Sequence, residues 1–227
     1  MIYKYIRFIL DFLYPARCPV CSEFIGYMDD FCEDCHGKIN FSENPFSIPY
    51  SDFSASVCIY DENIFPAVFT LKDRGGNAPY AFALGIAELI RKYNISEKAD
   101  FIVPVPMYKK DKAERGFNQC ELMSKELSHI LKIPYRSDIV FKIRKTRHQK
   151  ELSGEERRNN LKDAFEVKNP QEVSGKNIIL IDDVCTTGST LSEVSRTLKN
   201  SNAEKIFCFT YCKTDFPDIS KWSWHLW

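Results

Sequence analysis

At 227 residues the chain has room for one sizeable core and a small appendage. Its 31 basic and 31 acidic side chains cancel, so no global field draws it to nucleic acid or anionic lipid, and any such attraction must be local. No apolar run reaches the roughly 18 residues of a membrane span, and nine cysteines without a signal-peptide pattern predict a cytoplasmic protein whose thiols stay reduced or bind metal.

The first segment, Met1 to Leu13, is apolar and aromatic but carries Lys4, Arg7 and Asp11. Tyr3, Ile6, Ile9, Leu10 and Leu13 share one helical face, which predicts a docking helix or a membrane-surface one. Cys18-x2-Cys21 and Cys32-x2-Cys35 follow, separated by a ten-residue spacer. Two such pairs place four thiolates around one tetrahedral ion, so Cys18, Cys21, Cys32 and Cys35 are predicted to hold a structural zinc. Cys32 to His36 also fits a c-type haem attachment pattern, but that chemistry needs export and leaves Cys18 and Cys21 unexplained. The remaining cysteines, Cys58, Cys120, Cys185, Cys208 and Cys212, are scattered and read as buried small hydrophobes.

Asn40 to Asp52 is rich in Ser, Asn and Pro and reads as a linker, dividing the chain into a module over 1–40, a connection over 41–54 and a larger domain over 55–227. Alternation predicts a strand over Ala55 to Tyr60, then helices near Ile64 to Leu71 and Pro79 to Tyr93, and a buried strand over Phe101 to Val105. An amphipathic helix is predicted over Glu114 to Leu131, with short strands over Ile139 to Ile143 and Ala164 to Val167. The apolar run Ile178 to Ile181 predicts a strand buried on both faces, and Leu191, Val194 and Leu198 recur at helical spacing. Lys205 to Tyr211 supplies a last strand, and the three tryptophans between Trp222 and Trp227 are expected to pack on the domain. Strands alternating with helices predict an α/β fold with a parallel, doubly wound sheet.

Chemistry concentrates in three places. After Ile178 to Ile181 come two carboxylates, Asp182 and Asp183, then Val184, Cys185 and the turn Thr186, Thr187, Gly188, Ser189, Thr190. Backbone N–H groups at the helix start, with Gly188 allowing close approach, suit a phosphate, and the hydroxyls add donors. The acids would repel that phosphate, so they are assigned to vicinal sugar hydroxyls, and a 5-phosphorylated ribose fits the whole segment. A Walker loop is excluded because no Gly-Lys-Ser/Thr follows. Next, Glu114-Arg115-Gly116-Phe117-Asn118-Gln119 offers Arg115 and the N–H groups near Gly116 to a second anion. The third place, Lys142 to Lys150, holds Lys142, Arg144, Lys145, Arg147 and Lys150 with no acid among them. It reads either as a solvated face or as a hood over a pyrophosphate, with Lys145, Arg147 and Gln149 as loop candidates.

The Asp182 to Thr190 segment resembles the phosphoribosyl-pyrophosphate motif of type I phosphoribosyltransferases, and Arg115-Gly116-Phe117 resembles the pyrophosphate loop of the adenine-type members. Purine-salvage members often carry an aspartate where this chain has Thr186, which puts purine-base catalysis by that route in doubt. The full pattern is similar to the ComF family of competence-associated phosphoribosyltransferase-like proteins. The zinc knuckles, the Glu-Arg-Gly-Phe-Asn-Gln run, and Thr146, Gln149, Leu152, Arg157, Arg158, Asn160, Ala164 and Phe165 carry that similarity. It implies a type I phosphoribosyltransferase-like sheet with a zinc-ribbon-like module. It also implies phosphoribosyl pyrophosphate bound with Mg²⁺, Asp182, Asp183 and Arg115 as catalytic residues, and a role in DNA uptake. The alternative is a non-catalytic factor that binds single-stranded DNA or senses phosphoribosyl pyrophosphate, with Phe141, Tyr135 and His148 available to stack bases.

Overall fold

The computed structural model describes residues 7–9, 12–42, 44–73, 76–146 and 160–214. In chain order its elements are α1 (Glu33–His36), β1 (Phe53–Ile59), α2 (Phe65–Asp73), α3 (Ala78–Lys92), β2 (Phe101–Pro104), α4 (Lys109–Arg115), α5 (Gln119–Leu131), β3 (Val140–Lys142), β4 (Phe165–Val167), β5 (Asn177–Cys185), α6 (Ser189–Asn200) and β6 (Lys205–Lys213). Four strands form one parallel sheet in the order β1, β6, β5, β2. β3 and β4 form a separate antiparallel pair, with Phe141 opposite Glu166.

The apolar run of β5 explains the layering. Ile178 to Ile181 are each 0% exposed, as expected of a central parallel strand covered on both faces. Ile178 and Leu180 enter one core with Leu191, Val194 and Leu198 of α6. Ile179 and Ile181 enter the other with Phe82, Ile86 and Ile90 of α3 and Met123 and Leu127 of α5. In that second core the Phe82 and Tyr211 rings stack with centroids 3.9 Å apart.

One expectation is corrected, and two segments gain detail. The helix predicted over Glu114 to Leu131 is two helices. Gly116 takes φ +88° and its N–H closes α4 on the Lys112 carbonyl. Asn118 then caps α5, accepting from Cys120 N at 3.0 Å and donating to the Val105 carbonyl at 3.0 Å. The stretch read as a linker is itself hydrogen-bonded along β1. Ser42 N donates to Val57 O, Phe46 N to Ser54 O, and Ile59 N to Asn40 O. Of the apolar face expected on the first helix, Ile9 and Leu13 are 60% and 63% exposed; Tyr3, Ile6 and Leu10 lie outside the described residues. Phe8 packs edge-on to Tyr27 with centroids 5.6 Å apart, and Arg7 adds polar contacts. Its guanidinium lies 3.4 Å from the Tyr80 ring centroid and donates to Tyr27 O and Asn77 Oδ1. The tryptophan tail also lies outside the described residues.

The cysteine module shares the main core, because Cys18, Phe31 and Ile39 are buried in the cluster that includes α3. Thr70 Oγ1 on α2 adds a hydrogen bond to Pro19 O at 3.0 Å.

Candidate functional site

In an open parallel sheet a crevice forms beyond the strand C-termini where neighbouring connections leave on opposite faces. Here β5 leads into α6 on one face, and β2 leads through α4 into α5 on the other. The two strands are neighbours, with Pro104 beside Ile181 and Val105 N bonded to Ile181 O at 2.8 Å. Two of the three sequence segments singled out for chemistry leave the sheet at this gap.

Asp182 and Asp183 lie within β5 rather than after it, since the strand stays paired to β6 through Cys185. Asp183 N donates to Asp182 Oδ1 at 3.0 Å, and Val184 N to Asp183 Oδ1 at 2.9 Å. Their surroundings separate the two acids. Burial, and then the neighbouring Asp183 charge, push the Asp182 carboxyl up to about 8. Burial also works against ionised Asp183, but the Lys72 ammonium 3.0 Å from its Oδ2 outweighs it and holds this carboxyl below its ordinary range. The pair is therefore one acid poised to be neutral and one held charged.

The turn after β5 carries the hydroxyls. Thr187 Oγ1 and Ser189 Oγ are 2.8 Å apart, Ser189 N points to Thr187 Oγ1 at 3.4 Å, and Thr186 O accepts from Thr214 Oγ1 at 3.2 Å. Gly188 caps α6 at φ +71°, and a Cβ there would stand 2.4 Å from Ile48 Cδ1. Ile48 comes from the stretch that runs along β1, so this stretch also backs the turn. Gly188→Ala should lower stability by roughly 1–3 kcal/mol, mainly through the left-handed conformation, with the tip of the Ile48 side chain shifting to make room. Chemical denaturation would read the loss. Cys185 is 6% exposed, and burial pushes its thiol up to about 12, so it is a protonated, shielded thiol at neutral pH.

Arg115, exposed at the end of α4, donates to Gln119 Oε1 at 2.9 Å, and Gln119 Nε2 approaches Asp183 Oδ2 at 3.4 Å. The structure thus joins Arg115 to the acids through Gln119. Gly116 lies at the same junction, with its N–H already used by Lys112 O. Cys120, next on α5, is 2% exposed and donates its thiol to Asp182 Oδ1 at 3.3 Å. Its thiol is pushed up by burial first and then by both carboxylates. Sequence reasoning missed Lys72 altogether and treated Cys120 as packing. It quoted Gln119 without a role, although that residue's place beside Arg115 in the motif was a usable signal.

From the basic segment, Arg144 donates to Asn160 O and Lys162 O, and Lys145 Nζ lies 3.8 Å from Asp111 Oδ1. Arg147 and Gln149 lie outside the described residues. Phe141, considered for base stacking, has the Lys168 ammonium 4.2 Å from its ring centroid.

The Sγ atoms of Cys18, Cys21, Cys32 and Cys35 all lie within 4.8 Å of one another, with Cys21 and Cys32 3.6 Å apart. Thiolates about 2.3 Å from a tetrahedral zinc stand roughly 3.8 Å apart, so the four fit that ion. The cleft beside them is lined by Glu23, Asp29, Asp30, Glu33 and Asp34. Among the described residues no helix is long and apolar enough to cross a membrane.

Comparison with known proteins agrees with this architecture. A family model for the phosphoribosyl transferase domain matches residues 79–217, and one for the double zinc ribbon domain matches residues 9–47. "DNA utilization protein YhgH" of Escherichia coli K12 is 37% identical over 87% of this chain and 90% of its own. "Competence protein F" of Haemophilus influenzae Rd is 42% identical over 46% of each chain. "Competence protein ComFC" of Bacillus subtilis 168 is 34% identical over 52% of this chain and 46% of that one.

Proposed function

Because the chain belongs to the phosphoribosyl transferase family, in the branch of ComF and YhgH proteins with an N-terminal double zinc ribbon, we propose that it binds phosphoribosyl pyrophosphate at the ends of β5 and β2 and transfers its phosphoribosyl group. The observation that carries this reading is that Asp182, Asp183 and the Thr186 to Thr190 turn follow one another at the end of β5 while Arg115 is joined to Asp183 through Gln119.

In this reading the turn at the N-terminus of α6 takes the 5-phosphate, with Thr187, Ser189 and Thr190 contributing hydroxyls. Asp183, charged and walled in, accepts the sugar hydroxyl hydrogens; Asp182 stands beside it as second acceptor or, when protonated, as donor. The oxygens of Asp182 and Asp183 suit a hard cation, and Mg²⁺ held there with the ligand would supply positive charge against the pyrophosphate. Arg115 faces the pyrophosphate, whose bond to the anomeric carbon breaks as the acceptor's bond forms, and fixed positive charge there stabilises the departing anion. Lys145, Arg147 and Gln149 are proposed to close over it.

The names of the relatives, with their reference to competence and DNA utilization, support a second reading: a non-catalytic factor that binds a single strand, or senses the ligand, and works with DNA-uptake machinery. The five acids lining the module's cleft oppose a phosphate backbone, so a strand path would follow Lys142, Arg144 and Lys145 instead. Incubation with phosphoribosyl pyrophosphate, Mg²⁺ and a metabolite extract decides between the two. Acceptor-dependent pyrophosphate release is expected. Absence of release, with DNA affinity that falls steeply between two salt concentrations, would replace the enzyme by the factor.

A further inference from the structure

Lys72 reaches the acid pair from α2, the helix after β1, whereas Arg115, at the end of α4 after β2, is joined to it through Gln119. Its ammonium lies 3.0 Å from Asp183 Oδ2. The same oxygen is approached by Gln119 Nε2 at 3.4 Å, and Gln119 Oε1 accepts from Arg115 Nη1 at 2.9 Å. Two cations are therefore connected through one carboxylate and one amide, in elements that enter from opposite edges of the sheet.

The partners differ in access. The Asp183 side chain is 8% exposed and that of Lys72 is 36%. A carboxylate so enclosed needs a compensating donor, and Lys72 supplies it here. A sugar bound to Asp183 would donate its own hydroxyl hydrogens to that carboxylate and release the lysine from the duty. The lysine's flexible stem and open flank then allow it to turn to a new anion. Diphosphate attached to the same sugar is the anion at hand, and Arg115, held on Gln119 Oε1, is the second cation in this chain of contacts.

We propose that Lys72 is a diphosphate-binding residue, parked on Asp183 in the ligand-free protein and passed to the diphosphate when the sugar takes its place. The proposal rests on the phosphoribosyl pyrophosphate reading above and adds a residue and an exchange of partners to it. A lysine that merely neutralised a buried carboxylate would support ribose and diphosphate equally, and this separates the two roles.

The test uses the full chain and calorimetric titration with phosphoribosyl pyrophosphate plus Mg²⁺, which carries sugar and diphosphate together, and, separately, with ribose 5-phosphate. Lys72→Met should weaken phosphoribosyl pyrophosphate binding by roughly 10- to 100-fold, the range expected for one charge-assisted contact, and move ribose 5-phosphate far less. Lys72→Arg should restore most of the loss. In the unsubstituted protein, which needs no variant to fold, Mg²⁺ with phosphoribosyl pyrophosphate should slow acetylation of Lys72 as read by mass spectrometry, and ribose 5-phosphate alone should not. Equal weakening of both ligands, unchanged phosphoribosyl pyrophosphate affinity, or unprotected Lys72 would overturn the assignment. An unsubstituted protein that binds neither ligand would instead bring down the parent reading, and this inference with it.

Discussion

Asp182→Asn combined with Asp183→Asn should abolish measurable phosphoribosyl pyrophosphate binding while the sheet stays folded. Ionised Asp183 is proposed to accept charge-assisted hydrogen bonds from the two ribose hydroxyls, each worth about 1.5–3 kcal/mol, with Asp182 adding a weaker one, so losing both weakens affinity by roughly 10²- to 10⁴-fold. The fold survives because the two substitutions act oppositely on stability. Asp182 has its carboxyl raised to about 8, so the native state holds a proton that the unfolded chain releases near its ordinary value of 3.8. Its contribution therefore declines as pH rises from about 4 through 8, and Asp182→Asn should gain most stability on the alkaline side. Asp183 has the reverse sign: held below its ordinary range, it contributes above that range and loses its contribution as pH falls. Asp183→Asn leaves Lys72 without its counter-charge, but the lysine is 36% exposed, so the cost should be about 1–3 kcal/mol rather than that of a fully buried pair. Calorimetry gives the affinity, and thermal melts at pH 6 and pH 9 give the two stability signs. Undiminished affinity in the double variant would remove the acids from the ligand site.

Removing the metal from the cysteine module should destabilise the entire chain. Elemental analysis should find one zinc per chain, and a strong chelator or Cys35→Ser should lower the melting temperature of the whole protein. A closed four-thiolate site contributes on the order of 10 kcal/mol in small zinc modules. Here its loss would propagate, because Cys18, Phe31 and Ile39 are buried in the same core as α3 and β6. Burial and the neighbouring Cys32 raise the Cys35 thiol far above its ordinary range, so metal uptake must displace protons and apparent affinity should fall as pH falls. A metal-free chain with an unchanged melting curve would rule out the structural role.

The two regions were legible in the sequence to different depths. The thiol spacing identified the zinc ligands because both knuckles are local and each Cys-x2-Cys pair fixes its own geometry. The run Ile178 to Ile181 followed by Asp182 and Asp183 identified the central strand and the acids, because burial on both faces leaves an uninterrupted apolar signature. The break at Gly116 was hidden by helical periodicity that continues across it; only the left-handed glycine and the Asn118 cap show that two helices meet there.

What the sequence determined alone was the parallel α/β class, the four thiols, and the adjacency of two carboxylates to a hydroxyl-rich turn. Each is written in residues that are neighbours in the chain. The tertiary structure decided which acid is charged and what each one faces. Cys120 meets Asp182 from 62 positions away, Gln119 meets Asp183 from 64, and Lys72 arrives from the helix after β1. Those contacts follow from strand order and from the helices' choice of face. The two otherwise similar carboxylates separate only because burial and a distant ammonium act on them unequally.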